Sequence, residues 1–247
     1  MTTRNEIGFS QRVRLEWLEY AANLVRVGKS PREVQDALQE MLRDQLSIGG
    51  TARRGNREKA ITIILRTWSS VSQSLAPLRD EALRLLETLP QEEHIVLHWG
   101  MCSAAYPFWA AVGDVTGRLL NLQHEAAASQ IQRRMKEQYG ERETVARATR
   151  RVIRAFADWG VLTESGKKGI YLPGKTISSN NAELALWILE AILQANSSGS
   201  LSVESLRRLP SVFPFELQWP RVNAIDSSPR LQVFRQGMAE DIVELRT

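Results

Sequence analysis

The chain has 247 residues, of which 43% are hydrophobic, so it is long enough for one large domain or two to three small ones with a buried core. Its single cysteine, Cys102, excludes an internal disulfide framework, and the N-terminus shows no apolar signal segment, so we expect a cytoplasmic protein. The formal net charge is +4, which makes the chain as a whole only mildly basic.

Positive charge is concentrated in one block of the chain. From Ala126 to Lys175 there are eleven Lys and Arg residues against five Asp and Glu, a net charge of +6. From Glu183 to Thr247 there are six against eight, a net charge of −2. A local excess of this kind is typical of a surface that binds a polyanion.

Residues 1–90 are predicted to form a helical domain of the helix-turn-helix kind. Ser10 is placed to cap a first helix. The sequence SPRE at residues 30–33 is a capping box with proline in the first helical position, which predicts the start of a second helix. Asn56 is placed to cap a third helix, and a further helix is predicted over residues 78–89.

The start of the third helix and the loop before it are basic. The cations there are Arg53, Arg54, Arg57 and Lys59, in and just after a segment that contains three glycines. Two interpretations stay open at this point. The four cations form either a second DNA-binding surface or an ordinary solvated loop.

Residues 95–113 are long and mostly apolar, as a membrane span is. They nevertheless include His98, Ser103 and Pro107, and charged residues follow at once. We therefore predict two core helices of a soluble domain, broken near Tyr106 and Pro107, and no membrane segment.

Histidine and cysteine spacing suggests a metal site until helix geometry is applied. His94, His98 and Cys102 lie at i, i+4 and i+8, so the first and last are about 12 Å apart along a helix and cannot share one ion. The chain has no glycine-rich phosphate loop and no nucleophile elbow, and its carboxylates are scattered singly. We therefore predict no metal site, no cofactor and no enzymatic activity.

The basic block is predicted to contain three helices. The first covers residues 107–120 and a turn at 121–122 follows it; the second covers residues 125–138 and ends before Gly140. The third carries arginines at spacings of three, four and seven, namely Arg147, Arg150, Arg151 and Arg154. At about 100° per residue these arginines share one side of the helix. The apolar residues fall on the opposite side: Val145, Val152, Phe156 and Trp159.

After this helix, residues 161–172 are two short apolar runs joined by a loop rich in glycine and lysine, which predicts a β-hairpin. Three helices followed by a basic hairpin is the element order of a winged helix, in which the third helix enters the major groove of DNA. The candidate DNA contacts are then Arg142, the four arginines, Lys167 and Lys168. The alternative is a solvated helix face, or one paired with Asp or Glu of another element, and winged helices also bind proteins.

Residues 181–247 are predicted to be a C-terminal helix and an extension. An apolar helix is expected over residues 182–194, with a flexible break at 196–200. The last segment, from Leu231 onward, is compatible with an edge strand or a helix.

The order of these features from Phe9 to Pro173 resembles the BrxA proteins of bacterial BREX phage-defence systems. The segments that carry the resemblance are GKSPREVQDAL, TARRGNREKA, HWGMCSAAYPFW and ATRRVIRAFADWGVL. The resemblance implies a mainly helical, non-enzymatic protein, built of helix-turn-helix-like subdomains, that binds double-stranded DNA and is encoded beside phage-defence enzymes. This chain departs from the family in its longer C-terminal region after about Ser200.

The sequence thus predicts a mainly α protein: a helical domain over 1–90, a winged-helix domain with a β-hairpin wing over 91–180, and the extension over 181–247. We expect it to bind double-stranded DNA as an accessory or regulatory factor in phage defence, with other phage-defence proteins as partners. One alternative is a scaffold subunit that docks onto another defence protein. Another is an RNA-binding regulator, because a basic helical surface does not by itself distinguish RNA from DNA.

Overall fold

The computed structural model describes residues 7–47, 55–196, 198–206, 208–236 and 240–246. These residues are mainly helical, as predicted, and their strands form three small sheets, where the sequence predicted one β-hairpin. Arg53 and Arg54 lie outside the described residues. The helices are α1 (Leu15–Arg26), α2 (Pro31–Met41), α3 (Asn56–Trp68), α4 (Ala76–Thr88), α5 (His94–Ala105), α6 (Pro107–Gln123), α7 (Ala128–Tyr139), α8 (Glu143–Asp158), α9 (Ala182–Ala195), α10 (Val203–Leu206) and α11 (Val222–Asp226). The strands are β1 (Ala126–Ala127), β2 (Leu162–Glu164), β3 (Ile170–Pro173), β4 (Ile177–Ser179), β5 (Ser200–Ser202), β6 (Phe215–Leu217), β7 (Leu231–Gln236) and β8 (Glu240–Leu245).

The capping box at the start of α2 is confirmed. The Ser30 side chain accepts a hydrogen bond from the Glu33 backbone N–H, and Glu33 Oε2 accepts one from the Ser30 backbone N–H at 2.8 Å. Pro31 occupies the first helical position. These contacts satisfy N–H groups that a helix start leaves without intrahelical partners.

Two predicted capping residues are wrong. The first helix begins at Leu15, and Ser10 does not cap it, because Phe9 and Val13 are fully buried and keep this segment non-helical across the core. Phe9 contacts the rings of Tyr106 and Trp109, with centroids 5.4 and 4.8 Å away. At α3 the N-cap position belongs to Gly55, without a side-chain hydrogen bond, and Asn56 is the first helical residue.

Helices α5 and α6 confirm the predicted pair of core helices. They meet at Tyr106 with a bend of 118°, and every residue of α5 after His94 is buried. A Cβ atom at Gly100 would lie 2.5 Å from the Trp187 ring, so glycine allows α9 to pack closely on α5. Within the described ranges no single helix has the length and apolarity that crossing a membrane requires.

The basic block folds as α6, β1, α7, α8, β2 and β3 in chain order. Strands β2 and β3 form the predicted antiparallel hairpin, with Leu162 opposite Pro173. The predicted turn at 121–122 is wrong, since α6 continues to Gln123 and ends at His124 with φ +59°. The predicted start of the next helix at residue 125 is also wrong, because Ala126 and Ala127 pair with β3 and α7 begins after them. The sheet order is β1-β3-β2.

The C-terminal residues complete the core. Helix α9 is largely buried, as predicted, and the last segment forms the strands β7 and β8 of a sheet with order β5-β8-β7. Strand β4 pairs in parallel with β6. One cluster of buried side chains extends from Phe9 to Phe215, and a smaller one joins α9 to β7 and β8. The domain boundaries near residues 90 and 180 stay predictions.

Candidate nucleic-acid interface

Helix α8 has one completely buried side. Val145, Val152 and Phe156 are 0% exposed and Trp159, just after the helix, is 6% exposed, as the sequence predicted. The Phe156 ring stacks on Trp99 at 4.6 Å between centroids and meets Trp109 edge to face at 4.7 Å. Because these aromatic side chains pack into the core, the orientation of α8 about its own axis is fixed and its opposite side faces outward.

The outward side carries the predicted arginines. Arg147, Arg150 and Arg154 are exposed and Arg151 is half-buried. Arg150 Nη2 donates to Glu143 Oε1 at 3.0 Å, and Arg147 Nε lies 3.8 Å from the same oxygen. Arg154 has no hydrogen bond or ion pair with any described residue. The carboxylate that these arginines contact therefore belongs to α8 itself and not to another described element.

The positive charges of α8 also act on each other. Partial burial lowers the pKa of Arg151, and the nearby charge of Arg147 lowers it further. Two neighbouring positive charges repel each other, and an anion that lies close to both would relieve this repulsion. The outer side of α8 thus carries positive charge that the described residues only partly compensate.

The turn between α7 and α8 consists of residues 140–142. Gly140 has φ +96°, and the Arg142 guanidinium donates to the Tyr139 carbonyl oxygen at 3.0 Å. Arg142, predicted as a DNA contact, therefore caps the end of α7, where the carbonyl groups have no intrahelical donor.

The far end of α8 is fixed by the N-terminal segment. The Arg12 guanidinium forms an ion pair with Asp158, and Trp159 Nε1 donates to the Val13 carbonyl oxygen at 3.0 Å. Both contacts join residues before α1 to the last turn of α8. The helix is consequently anchored at both ends as well as along its buried side.

The loop between β2 and β3 carries Lys167 and Lys168, both exposed and without an ion pair among the described residues. Gly166 and Gly169 flank them with φ +81° and +78°, values that favour glycine. The Ala128 N–H donates to the Gly169 carbonyl oxygen at 2.8 Å, which joins the base of this loop to the start of α7. The two lysines and the arginines of α8 therefore belong to one packed unit.

The basic start of α3 is arranged differently. Arg57 Nη2 donates to the Arg43 carbonyl oxygen at 2.7 Å, and its Nε donates to the Leu46 carbonyl oxygen at 3.3 Å. Lys59 is half-buried, while Arg53 and Arg54 lie outside the described residues. Arg57 thus donates hydrogen bonds to the protein's own backbone. The sequence had suggested a DNA-binding surface or a solvated loop, and neither interpretation included these bonds.

His94 and His98 both contact a carboxylate that the sequence did not single out. His98 Nε2 lies 2.7 Å from Glu19 Oε2, and His94 Nδ1 lies 3.1 Å from Glu19 Oε1. Burial raises the pKa of Glu19, but the contacts with His98 and His94 outweigh it and lower the pKa to about 2. Burial lowers the pKa of His98. No group of three or more metal-ligating side chains is arranged around an ion site within the described ranges.

No protein-family model, curated protein or solved structure matches the chain.

The residue that sequence reasoning missed at this surface is Glu143. Its spacing of four from Arg147 and seven from Arg150 was a readable signal, because residues so spaced share one side of a helix. A proposal about this surface therefore depends on charge, burial and hydrogen bonding at α8.

Proposed function

We propose that this chain is a non-enzymatic protein that binds double-stranded DNA through the outer side of α8 and the loop between β2 and β3. One observation carries the proposal. Helix α8 buries its whole apolar side, while its outer side presents arginines that no carboxylate of another described element neutralises. A rigid helix with such a surface fits a dense row of phosphates.

We infer further that residues 107–173 form a winged helix. The order α6, β1, α7, α8, β2, β3, the three-residue turn before α8 and the sheet order β1-β3-β2 all support this. In a helix-turn-helix the second helix lies in the major groove, and here that helix is α8. The loop between β2 and β3 is then the wing, and it would contact the DNA backbone beside that groove.

The physical basis is counterion release. Duplex DNA carries one phosphate charge per about 1.7 Å of axis, and each phosphate neutralised by Lys or Arg releases condensed cations. Guanidinium groups also bind guanine bidentately, but a surface made mostly of arginine favours phosphate contacts. A role as an accessory or regulatory factor in phage defence is part of the proposal and depends on the resemblance to the BrxA proteins.

The test is equilibrium binding of the purified chain to labelled duplex DNA, single-stranded DNA and duplex RNA between about 50 and 200 mM salt. We expect duplex DNA to bind most tightly, and log K to fall against log salt with a slope of about −0.9 for each phosphate contact. Tighter binding to duplex RNA at every salt concentration would favour the RNA-binding alternative. Absence of binding to all three nucleic acids at the lowest salt concentration would favour the scaffold alternative.

A further inference from the structure

The outer side of α8 includes a carboxylate, that of Glu143, among its arginines. Glu143 is the first residue of the helix and its side chain is 66% exposed. Its Oε1 atom accepts the hydrogen bond from Arg150 and lies 3.8 Å from Arg147 Nε. Its Oε2 atom accepts no hydrogen bond from a described residue. Oε1 is therefore held in place by Arg150, while Oε2 can accept a hydrogen bond from a ligand.

A purely structural role for Glu143 would contribute only modestly to stability. An acidic residue in the first turn suits the helix dipole, but an exposed ion pair of this kind adds little to stability. On a surface that approaches DNA the same carboxylate repels phosphate and loses its hydration. Arg150 offsets that loss for Oε1, and for Oε2 it is offset where the DNA presents a hydrogen-bond donor.

We propose that Glu143 is a specificity-determining residue that accepts a hydrogen bond from the N4 amino group of a cytosine in the major groove. This inference rests on the proposed function. In helix-turn-helix proteins the first residues of the second helix contact base edges, and Glu143 begins α8. Carboxylates accept from cytosine N4, whereas guanine and thymine present acceptor oxygens at the equivalent edge and adenine presents its amino group beside the N7 acceptor, which an amide matches better than a carboxylate. Arg150 orients the carboxylate for this contact.

The inference is tested by selecting bound duplexes from a library with a randomised centre, using the wild-type chain, Glu143→Gln and Glu141→Gln. Glu141 is the matched control, because it carries the same charge two residues earlier, outside α8, where Lys136 pairs with it at 3.2 Å. We expect the wild type and Glu141→Gln to enrich cytosine at one position. Glu143→Gln loses this preference or shifts it to adenine, which an amide recognises.

Binding constants on the selected duplex and on its variant with that cytosine replaced by thymine then give the size of the effect. The wild type should discriminate by at least about fivefold, the lower end of what a base-edge contact supplies, and Glu143→Gln should not discriminate. Equal preferences of wild type and Glu143→Gln overturn the inference, as does an equal loss in Glu141→Gln, which reduces the effect to net charge. A wild-type chain that binds no duplex DNA overturns the proposed function itself, a result distinct from either.

Discussion

Helices α3 and α8 both carry clusters of cations, and the guanidinium groups of the two helices have different hydrogen-bond partners. At the start of α3, Arg57 donates to the backbone carbonyl oxygens of Arg43 and Leu46. On α8, Arg147 and Arg150 contact an exposed carboxylate of the same helix, and Arg154 has no described partner. A cluster of cations in sequence therefore does not define a binding surface. The hydrogen-bond acceptors near the guanidinium groups determine whether the cations are free to bind a ligand.

The surroundings explain the difference. Arg57 lies beside the turn residues that follow α2, where the carbonyl groups of Arg43 and Leu46 lie outside any helix. Such carbonyl groups accept hydrogen bonds from a neighbouring guanidinium, which has five donors in a fixed fork. The arginines of α8 lie within a helix whose carbonyl groups are already bonded, so they project outward.

The largest expected effect comes from breaking the buried side of α8, on which the outward position of its arginines depends. Phe156→Ala removes a ring that packs on Trp99 and Trp109 and should lower the free energy of unfolding by about 3–5 kcal/mol. Urea denaturation measures this, with the exposed Arg154→Ala as control. An unchanged midpoint for Phe156→Ala would mean that the wrong side of α8 is described as buried.

The second prediction tests the role of Arg57. Arg57→Ala leaves the carbonyl oxygens of Arg43 and Leu46 without their donor and should lower the free energy of unfolding by about 1–2 kcal/mol. Its affinity for duplex DNA, measured by fluorescence anisotropy, should equal that of the wild type. Unchanged stability with weaker binding would contradict the comparison and make α3 a second contact surface.

The sequence predicts much of this arrangement where the signal is local. The capping box at Ser30, the break at Pro107 and the two sides of α8 all follow from spacing and residue type within a few positions. The spacing of Glu143 to Arg147 and Arg150 is equally local, but a single carboxylate among several arginines does not change the basic character of the segment and so was missed.

What the sequence does not predict depends on contacts between distant parts of the chain. Ala126 and Ala127 have no strand signal of their own and become β1 because β3 pairs with them. Ser10 has the chemistry of a cap, but burial of Phe9 and Val13 prevents the helix from starting there. The hydrogen bonds of Arg57 likewise need the end of α2 to be placed beside it.

The third prediction concerns Arg150 and Arg154. The double variant Arg150→Ala, Arg154→Ala should keep the stability of the wild type, because both side chains are exposed and alanine is a good helix former. Its affinity should fall similarly on unrelated duplexes that lack the cytosine proposed to contact Glu143. The slope of log K against log salt should shrink by about 0.9 for each phosphate that these arginines neutralise in the wild type.

The control for that variant is Arg32→Ala, Arg235→Ala, which removes the same charge from exposed positions outside residues 107–173. If both double variants lower affinity equally, net charge alone accounts for the effect, and the arginines of α8 do not form a specific DNA-binding surface. A weakening confined to one preferred duplex would instead mean either that an arginine reads guanine or that Glu143 needs Arg150 for its contact with cytosine.

The smallest expected effect is that of the loop between β2 and β3. Lys167→Ala, Lys168→Ala removes two exposed cations from a loop whose backbone is set by glycines, so stability should not change. Because the two lysines are neighbours in a tight turn, we expect one of them to reach a phosphate and the salt slope to shrink by about 0.9. A lysine ammonium contacts phosphate as a single point charge, whereas a guanidinium can bind it bidentately, so affinity should fall less than for the variant at Arg150 and Arg154. Wild-type affinity at about 50 mM salt, where electrostatic contacts are strongest, would remove this loop from the interface and leave α8 to bind DNA alone.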